Sequence, residues 1–179
     1  SPDVSGSNSA DKGSSGDNGG ASGSGYDLTI VADDAILGMP GLTIYAGMSK
    51  VDQSTDSSAV NGDKDEETIA IKYAAGSFTL GYQWSEEDLG RDTDPQKYDN
   101  TAYSVTFQVN DDLSLGYSHY ESEQVSSAST TAEATSIQIA YSVGGASIRF
   151  ADTTVDNAAY QTTAAYDKDG QVISVSLAF

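Results

Sequence analysis

The chain has 179 residues, no cysteine and a formal net charge of -19, with 27 acidic residues against 8 lysines and arginines. The lack of cysteine excludes disulfides and thiolate metal sites, and the acidic balance argues against nucleic acid, which binds basic surfaces. Cations are the counter-charges that this composition favours. No run of about 18 apolar residues occurs, which excludes a transmembrane helix.

Residues 1–25 are nearly all Gly, Ser, Asp, Asn and Ala, and we interpret them as a flexible acidic loop or tail. From Tyr26 onward, apolar and polar residues alternate with a period of two, which is typical of strands with one apolar face. The pattern predicts about nine strands and no helix. In chain order, the alternation covers 26–30, 42–44, 69–73, 78–84, 103–109, 113–118, 137–143, 147–150 and 173–179.

The connections between these strands alternate in length. Tight turns are predicted at 38–41, 74–77, 110–112 and 144–145, and long polar loops at 50–67, 86–100, 121–134 and 151–170. Short turns at one end of a sheet and long loops at the other are typical of transmembrane β-barrels.

Charge distinguishes the two faces of the predicted strands. Acidic residues fall in the N-terminal segment, the loops, the turns or the strand ends, and the charged exceptions inside strands are Lys72 and Arg149 on the polar face. A soluble β-sandwich would carry charges on its outer faces, whereas one apolar face and one mildly polar face fit lipid outside and water inside. The residues expected to face lipid are Ile69, Leu80, Val105, Leu115, Ile139 and Val175.

Aromatic residues and pore-lining residues follow from the same alternation. Two interfacial aromatic belts are expected, one near the short turns and one toward the long loops: Tyr73, Phe78, Tyr141 and Phe179 in the first, and Trp84, Tyr82, Tyr103 and Tyr117 in the second. The polar face supplies the candidate pore lining: Lys72, Thr79, Gln83, Ser104, Thr106, Gln108, Ser136, Gln138 and Arg149. Such side chains hydrogen-bond water without binding a solute tightly.

Two groups were weighed as chemical sites. Acidic loop residues suit a weak Ca²⁺ site, because hard cations take oxygen ligands, although their spacing does not match an EF-hand and a solvated acidic surface is the alternative. These residues are Glu86, Glu87, Asp88, Asp92 and Asp94. The single histidine, His119, has no patterned serine or aspartate partner for a catalytic triad, so we expect a structural or interfacial role and no enzyme.

The odd number of predicted strands indicates that these strands alone do not form a complete barrel. Nine antiparallel strands cannot close with every neighbour antiparallel, and single-chain bacterial barrels have even strand numbers. We therefore expect an N-terminal barrel segment beyond these strands.

The alternating strands, the turns Tyr-Ala-Ala-Gly-Ser-Phe and Ser-Val-Gly-Gly-Ala-Ser, and the ending Val-Ser-Leu-Ala-Phe resemble Gram-negative general porins. The acidic, lysine-poor composition is most similar to porins of α-proteobacteria such as Rhodobacter. The resemblance implies an all-β, antiparallel transmembrane barrel of sixteen strands, of which residues 26–179 would supply about nine C-terminal ones. It also implies a homotrimer in the bacterial outer membrane, in contact with lipid and lipopolysaccharide, and Phe179 as a signal for barrel assembly.

The expected function is passive diffusion of small hydrophilic solutes and ions through a water-filled channel, with cations preferred and no cofactor apart from loop-bound Ca²⁺. Two alternatives stay open. A substrate-selective channel on the same fold would show saturable flux, and the barrel of a surface adhesin or autotransporter would follow a passenger domain.

Overall fold

The chain forms one antiparallel sheet of nine strands, seen in a computed structural model that describes residues 22–53 and 61–177. Each strand pairs with its neighbours in the sequence, so the order across the sheet is the order along the chain. The strands are β1 (Ser22–Ala32), β2 (Leu42–Gln53), β3 (Lys64–Ala75), β4 (Phe78–Asp88), β5 (Lys97–Gln108), β6 (Leu113–Val125), β7 (Thr130–Val143), β8 (Ala146–Asp156) and β9 (Lys168–Leu177). The predicted all-β class and the nine antiparallel strands are confirmed.

Short helical turns occupy two of the connections. The helix α1 (Asp34–Leu37) lies between β1 and β2, and two 3-10 turns, Ala158–Tyr160 and Ala164–Tyr166, lie between β8 and β9. The Asp33 carboxylate accepts from two backbone N–H groups of α1, and Gly38 ends the helix at a φ of 67°. The sequence analysis missed α1 because one helical turn is too short to show a 3.6-residue period.

None of the helices in the described ranges is both long enough and apolar enough to cross a membrane.

The strands are longer than the sequence predicts, and the long loops are correspondingly shorter. β4 continues to Asp88 and β5 starts at Lys97, so much of the predicted loop 86–100 is strand. The same holds for the predicted loops 50–67, 121–134 and 151–170, and β1 starts at Ser22 rather than at Tyr26. Most residues on both faces are polar in these extensions, so the hydrophobic alternation disappears while the backbone ladder continues. We call this end of the sheet the upper end, and the end with the short turns the lower end.

Register separates the side chains onto two faces, as the alternation predicts. Leu80 pairs with Val105, and Leu115 pairs with Ile139, so that these residues share one face. Ile69 and Val175 lie on the same face, because Ile69 pairs with Trp84 of β4 and Val175 pairs with Ile148 of β8. We call this the apolar face and the opposite one the polar face.

Neither face is covered by a second layer within the described residues. Val51 is the one buried hydrophobic residue there, while Ile137 and Ile173 on the apolar face are 58% and 71% exposed. Soluble domains normally pack such a face against another layer of secondary structure. The outer edges of β1 and β9 are also unpaired in this part of the chain.

The placement of charges corrects one sequence-based expectation. Lys50, Lys64 and Lys97 lie within strands, so Lys72 and Arg149 are not the only strand cations. Asp152, which the sequence analysis placed in a loop, lies inside β8 on the same face as Ile148. Sequence alternation detects only the apolar lower part of β8, which is why its upper half was assigned to a loop.

Candidate functional site

The polar face brings the predicted pore-lining residues together. One row across the sheet runs from Lys72 through Gly81, Ser104 and Ser118 to Ser136, each residue paired with the next. The rows beside it carry the remaining predicted residues on the same face: Thr79, Gln83, Thr106, Gln108, Gln138 and Arg149. Their role as pore lining stays a prediction.

Two depressions lie on this face. One, of about 440 Å³, lies over β3 to β6 and is lined in part by Lys72, Gln83 and Ser104. The other, of about 280 Å³, lies over β6 to β9 and is lined in part by Gln138 and Arg149. Small side chains and hydroxyl or amide groups form most of the polar lining, and both depressions are open to solvent rather than enclosed pockets.

The charged residues of the polar face differ between the upper end of the sheet and its middle. At the upper end, Lys64 lies 2.8 Å from Glu66 and 2.5 Å from Glu87. Lower down, neither Lys72 nor Arg149 has a carboxylate within 4.0 Å among the described residues. The acidic groups of this face therefore concentrate near the upper end of the sheet, and Lys72 and Arg149 lie below them.

The connection between β8 and β9 bends over the polar face. The hydroxyl of Tyr160, on the first 3-10 turn, lies 2.7 Å from that of Ser122 on β6, and its ring lies 5.4 Å from that of Tyr98 on β5. Burial raises the pKa of Tyr160 above its ordinary value. The sequence analysis missed this contact because it joins residues far apart in the chain, and no short-range pattern signals it.

Upper connections are also tied to each other. The carbonyl oxygen of Gly90 accepts from the N–H groups of Asn61 and Gly62, at 2.9 and 3.0 Å. Asp94, in the same β4–β5 connection as Gly90, accepts from the N–H group of Ser127 in the β6–β7 connection at 3.1 Å and also from the Ser127 hydroxyl group. These hydrogen bonds hold the pKa of Asp94 below its ordinary value.

Four of the five residues of the predicted calcium site have separate partners rather than one shared centre. Glu86 and Glu87 lie on opposite faces of β4 and pair with Lys97 and Lys64. Asp88 accepts from the N–H group of Gly90 at 2.8 Å, and Asp94 accepts from Ser127 as described above. Asp92 is exposed. Calcium binding here stays a prediction.

His119 lies on the apolar face of β6, at its upper margin. Its Nδ1 atom lies 3.0 Å from the Thr135 hydroxyl, and its Nε2 atom lies 2.8 Å from Oε1 of Glu121. Its ring also lies 4.9 Å from that of Tyr103. The two-residue spacing of His119 and Glu121 in the sequence could have indicated this pair. The contact with Thr135 could not be predicted in this way, because it depends on the register between β6 and β7.

The predicted aromatic belts occupy the two margins of the apolar face. Trp84, Tyr103 and Tyr117 lie at its upper margin, and Phe78 and Tyr141 lie close to the short turns. Phe179, the predicted assembly signal, lies outside the described residues.

No protein-family model matches the chain, and no curated protein matches it.

Proposed function

We propose that the chain forms part of the wall of a transmembrane β-barrel, a porin of the bacterial outer membrane through which small hydrophilic solutes and ions diffuse passively. The apolar face contacts lipid and the polar face lines water. The support comes from the sheet itself, above all from how the apolar face is bounded.

The upper margin of the apolar face crosses the strands obliquely, and this observation carries the proposal. Trp84 is the last apolar residue on β4, but its partner on β5 is Thr101, and the margin there lies two residues lower, at Tyr103. On β6 the partner of Tyr103 is His119, and the margin is two residues lower again, at Tyr117.

The same displacement continues toward β9. On β7 the margin lies at Ile137, level with Tyr117. The partner of Ile137 on β8 is Asp152, so the margin on β8 lies two residues lower, at Phe150. Phe150 pairs with Ile173, which marks the margin on β9. The lower turns descend in the same direction, because each successive hairpin ends further down the sheet. Three two-residue steps over the five strands after β4 amount to about one residue per strand.

This displacement is what a flat membrane slab imposes on tilted strands. One residue of about 3.3 Å along a strand per spacing of about 4.8 Å between strands corresponds to a tilt of about 35 to 40°. Membrane barrels have tilts of roughly 35–45°. The apolar patches of a soluble protein have no reason to follow such a line.

Strand length agrees with this arrangement. β3 has 12 residues and is about 40 Å long, so that at this tilt it covers about 31 Å, more than the roughly 25 Å apolar band of such barrels. The excess places the acidic upper ends of the strands in the aqueous phase, where their charges are solvated.

Closure of the barrel is part of the proposal. Unpaired backbone groups cost several kcal/mol each in hydrocarbon, so further strands pair with the outer edges of β1 and β9. The homotrimer and the lipopolysaccharide contacts implied by the porin resemblance belong to the same proposal.

Planar-bilayer recordings of the reconstituted protein test the function. We expect an ohmic, non-saturating conductance and a reversal potential that favours cations under a KCl gradient. Carboxylates at the upper opening raise the local cation concentration, and screening over about 8 Å at physiological ionic strength weakens the preference as salt rises.

Neighbouring residues on opposite faces provide the matched control. Glu66→Gln combined with Glu87→Gln removes charge from the polar face and should lower the cation preference, partly by leaving Lys64 unpaired. Glu67→Gln combined with Glu86→Gln removes the same charge from the other face and should change it little. No conductance, an anion preference at low salt, or equal effects of the two double variants would contradict the proposal.

A further inference from the structure

Three potential metal ligands converge at the upper margin of the apolar face. The ligand atoms of His119, Glu121 and Glu133 all lie within 4.8 Å of one another. Within residues 22–53 and 61–177, this is the one group of three or more such residues that lie this close. It is separate from the acidic connections considered above for calcium.

Strand geometry fixes this convergence. His119 and Glu121 lie two residues apart on β6 and therefore share a face. Register places Glu133 of β7 directly opposite Glu121, and Thr135 directly opposite His119. All four residues lie on regular, paired strands, so the backbone holds the ligands in position.

The arrangement concentrates negative charge without a compensating lysine or arginine. Glu121 and Glu133 are direct cross-strand partners, and Asp156 lies opposite Glu133 on the next strand. Like charges placed directly opposite each other destabilise a sheet. Every other ion pair among the described residues joins a lysine to a carboxylate, but the partner of Glu121 is His119.

The surroundings of the histidine favour binding at one of its nitrogens. The His119 side chain is only 12% exposed, and Tyr103 packs on it, whereas Glu121 is 49% exposed and reachable from solvent. The Thr135 hydroxyl can accept a proton held on Nδ1, so a metal ion can take the place of the proton that Nε2 otherwise shares with the Glu121 carboxylate. This is how a second residue usually orients a metal-binding imidazole.

We propose that His119, Glu121 and Glu133 bind a divalent transition-metal ion of the Zn²⁺ class on the outer surface of the sheet. One imidazole nitrogen and two carboxylate oxygens suit Zn²⁺, and the imidazole favours such ions over Ca²⁺ and Mg²⁺. Distances of about 2.0–2.2 Å from the ion to each ligand require only that the exposed carboxylates rotate inward. The inference does not depend on the pore, because the site lies on the opposite face.

Zinc titration of the purified full-length protein, free of added histidine tags and held in detergent, tests the proposal by calorimetry. We expect one Zn²⁺ to bind per chain. His119→Asn and Glu133→Gln should each weaken the affinity for Zn²⁺ at least tenfold. Thr135→Val should weaken binding by roughly tenfold, as loss of an orienting partner does. Glu67→Gln is the matched control, because Glu67 lies opposite Glu86 on the same face without a histidine; its binding should equal that of the unaltered protein.

A spectroscopic readout on the unaltered protein guards against a variant that fails to fold. The chain has a single histidine, so bound Cu²⁺ should show hyperfine coupling to one imidazole. Three outcomes would overturn the proposed site. They are the absence of stoichiometric Zn²⁺ binding, Zn²⁺ binding that survives both His119→Asn and Glu133→Gln, and bound Cu²⁺ without nitrogen coupling. Equal loss in Glu67→Gln would overturn it too, by showing a diffuse acidic surface. Conductance is measured separately, so failure here leaves the pore proposal untouched.

Discussion

Gly41 shows how closely one short connection is fitted to its neighbour. It has a φ of 81°, and a Cβ atom built on it would lie 2.1 Å from the carbonyl oxygen of Ala74. Its own carbonyl oxygen accepts from the N–H group of Ala74 at 2.9 Å. Both the backbone conformation and the contact therefore require glycine.

Gly41→Ala should destabilise the protein more than Gly76→Ala, measured by urea unfolding in detergent or lipid. Gly76 also has a positive φ, of 57°, but open space surrounds its Cβ position. Gly76→Ala therefore incurs only the left-handed penalty of about 1–2 kcal/mol. Equal destabilisation by the two substitutions would show that the hairpins of β1–β2 and β3–β4 do not touch as described.

Asp94 gives one upper connection a dependence on pH. Hydrogen bonds from Ser127 hold the pKa of Asp94 below the ordinary value of 3.8. A carboxyl whose pKa is lower in the folded state stabilises that state at pH values above its unfolded pKa, and this contribution is lost as the pH falls through the folded pKa. We expect the segments around Asp94 and Ser127 to separate under acid below about pH 4, detected as faster hydrogen exchange.

Two variants separate this effect from general acid unfolding. Ser127→Ala should speed exchange in the same segments already at neutral pH, because it removes the hydroxyl donor. Asp92→Asn, at an exposed position of the same connection, should change nothing. Unaltered exchange in Ser127→Ala would show that the contact does not hold the connections together.

Residue-level features were predictable to the extent that they depend on alternation. The face of Ser104 or Gln138 follows from the sequence alone, because each neighbour in a strand points the opposite way. The contact of Tyr160 with Ser122 does not, because it depends on how a long connection bends over the sheet.

Adjacent residues of β5 test which face meets lipid. Val105 lies in the middle of the apolar face and Thr106 lies next to it on the polar face. Val105→Arg should cost about 2–4 kcal/mol of unfolding free energy in a bilayer, as a cation does near the membrane midplane. Thr106→Arg should be tolerated, because it adds its charge to a hydrated surface.

Comparison of the two arginine variants in detergent-free lipid vesicles provides the measurement. The reverse order of stability would invert the assignment of the faces. Equal small effects would indicate that neither face is in contact with hydrocarbon.

For the individual strands, the sequence predicted that each strand exists but not where it ends. The apolar part of β8 ends at Phe150 and the hydrogen-bonded ladder continues to Asp156. Since hydrophobic alternation reports contact with an apolar environment, it stops where that contact stops. Backbone pairing above the margin leaves no such signal.

At the scale of the whole molecule, the open edges lead to a prediction about protection. If further strands cover the outer edges of β1 and β9, their amides should exchange with deuterium as slowly as those of β5, which has a partner on each side. Membrane-embedded protein analysed by mass spectrometry gives this comparison. Rapid exchange confined to β1 and β9 would contradict closure.

Closure was inferred from parity rather than seen in the sequence pattern. Each strand's periodicity describes only its own two faces, and pairing with a segment outside residues 22–177 leaves no mark on them. The oblique margin likewise became visible only when register aligned Trp84, Tyr103 and Tyr117 across neighbouring strands.

The neighbour-to-neighbour order of the sheet makes its width adjustable in fixed steps. Neighbouring strands of the sheet are also neighbours along the chain, so the removal of 78–108, which contains β4 and β5, would bring β3 beside β6 with antiparallel directions preserved. Each such step changes the width by two strand spacings, about 9.6 Å. Duplication of a two-strand stretch would widen the sheet by the same amount. A sheet built this way can become wider or narrower through single in-frame duplications or deletions, with every remaining strand keeping its side chains on the same two faces.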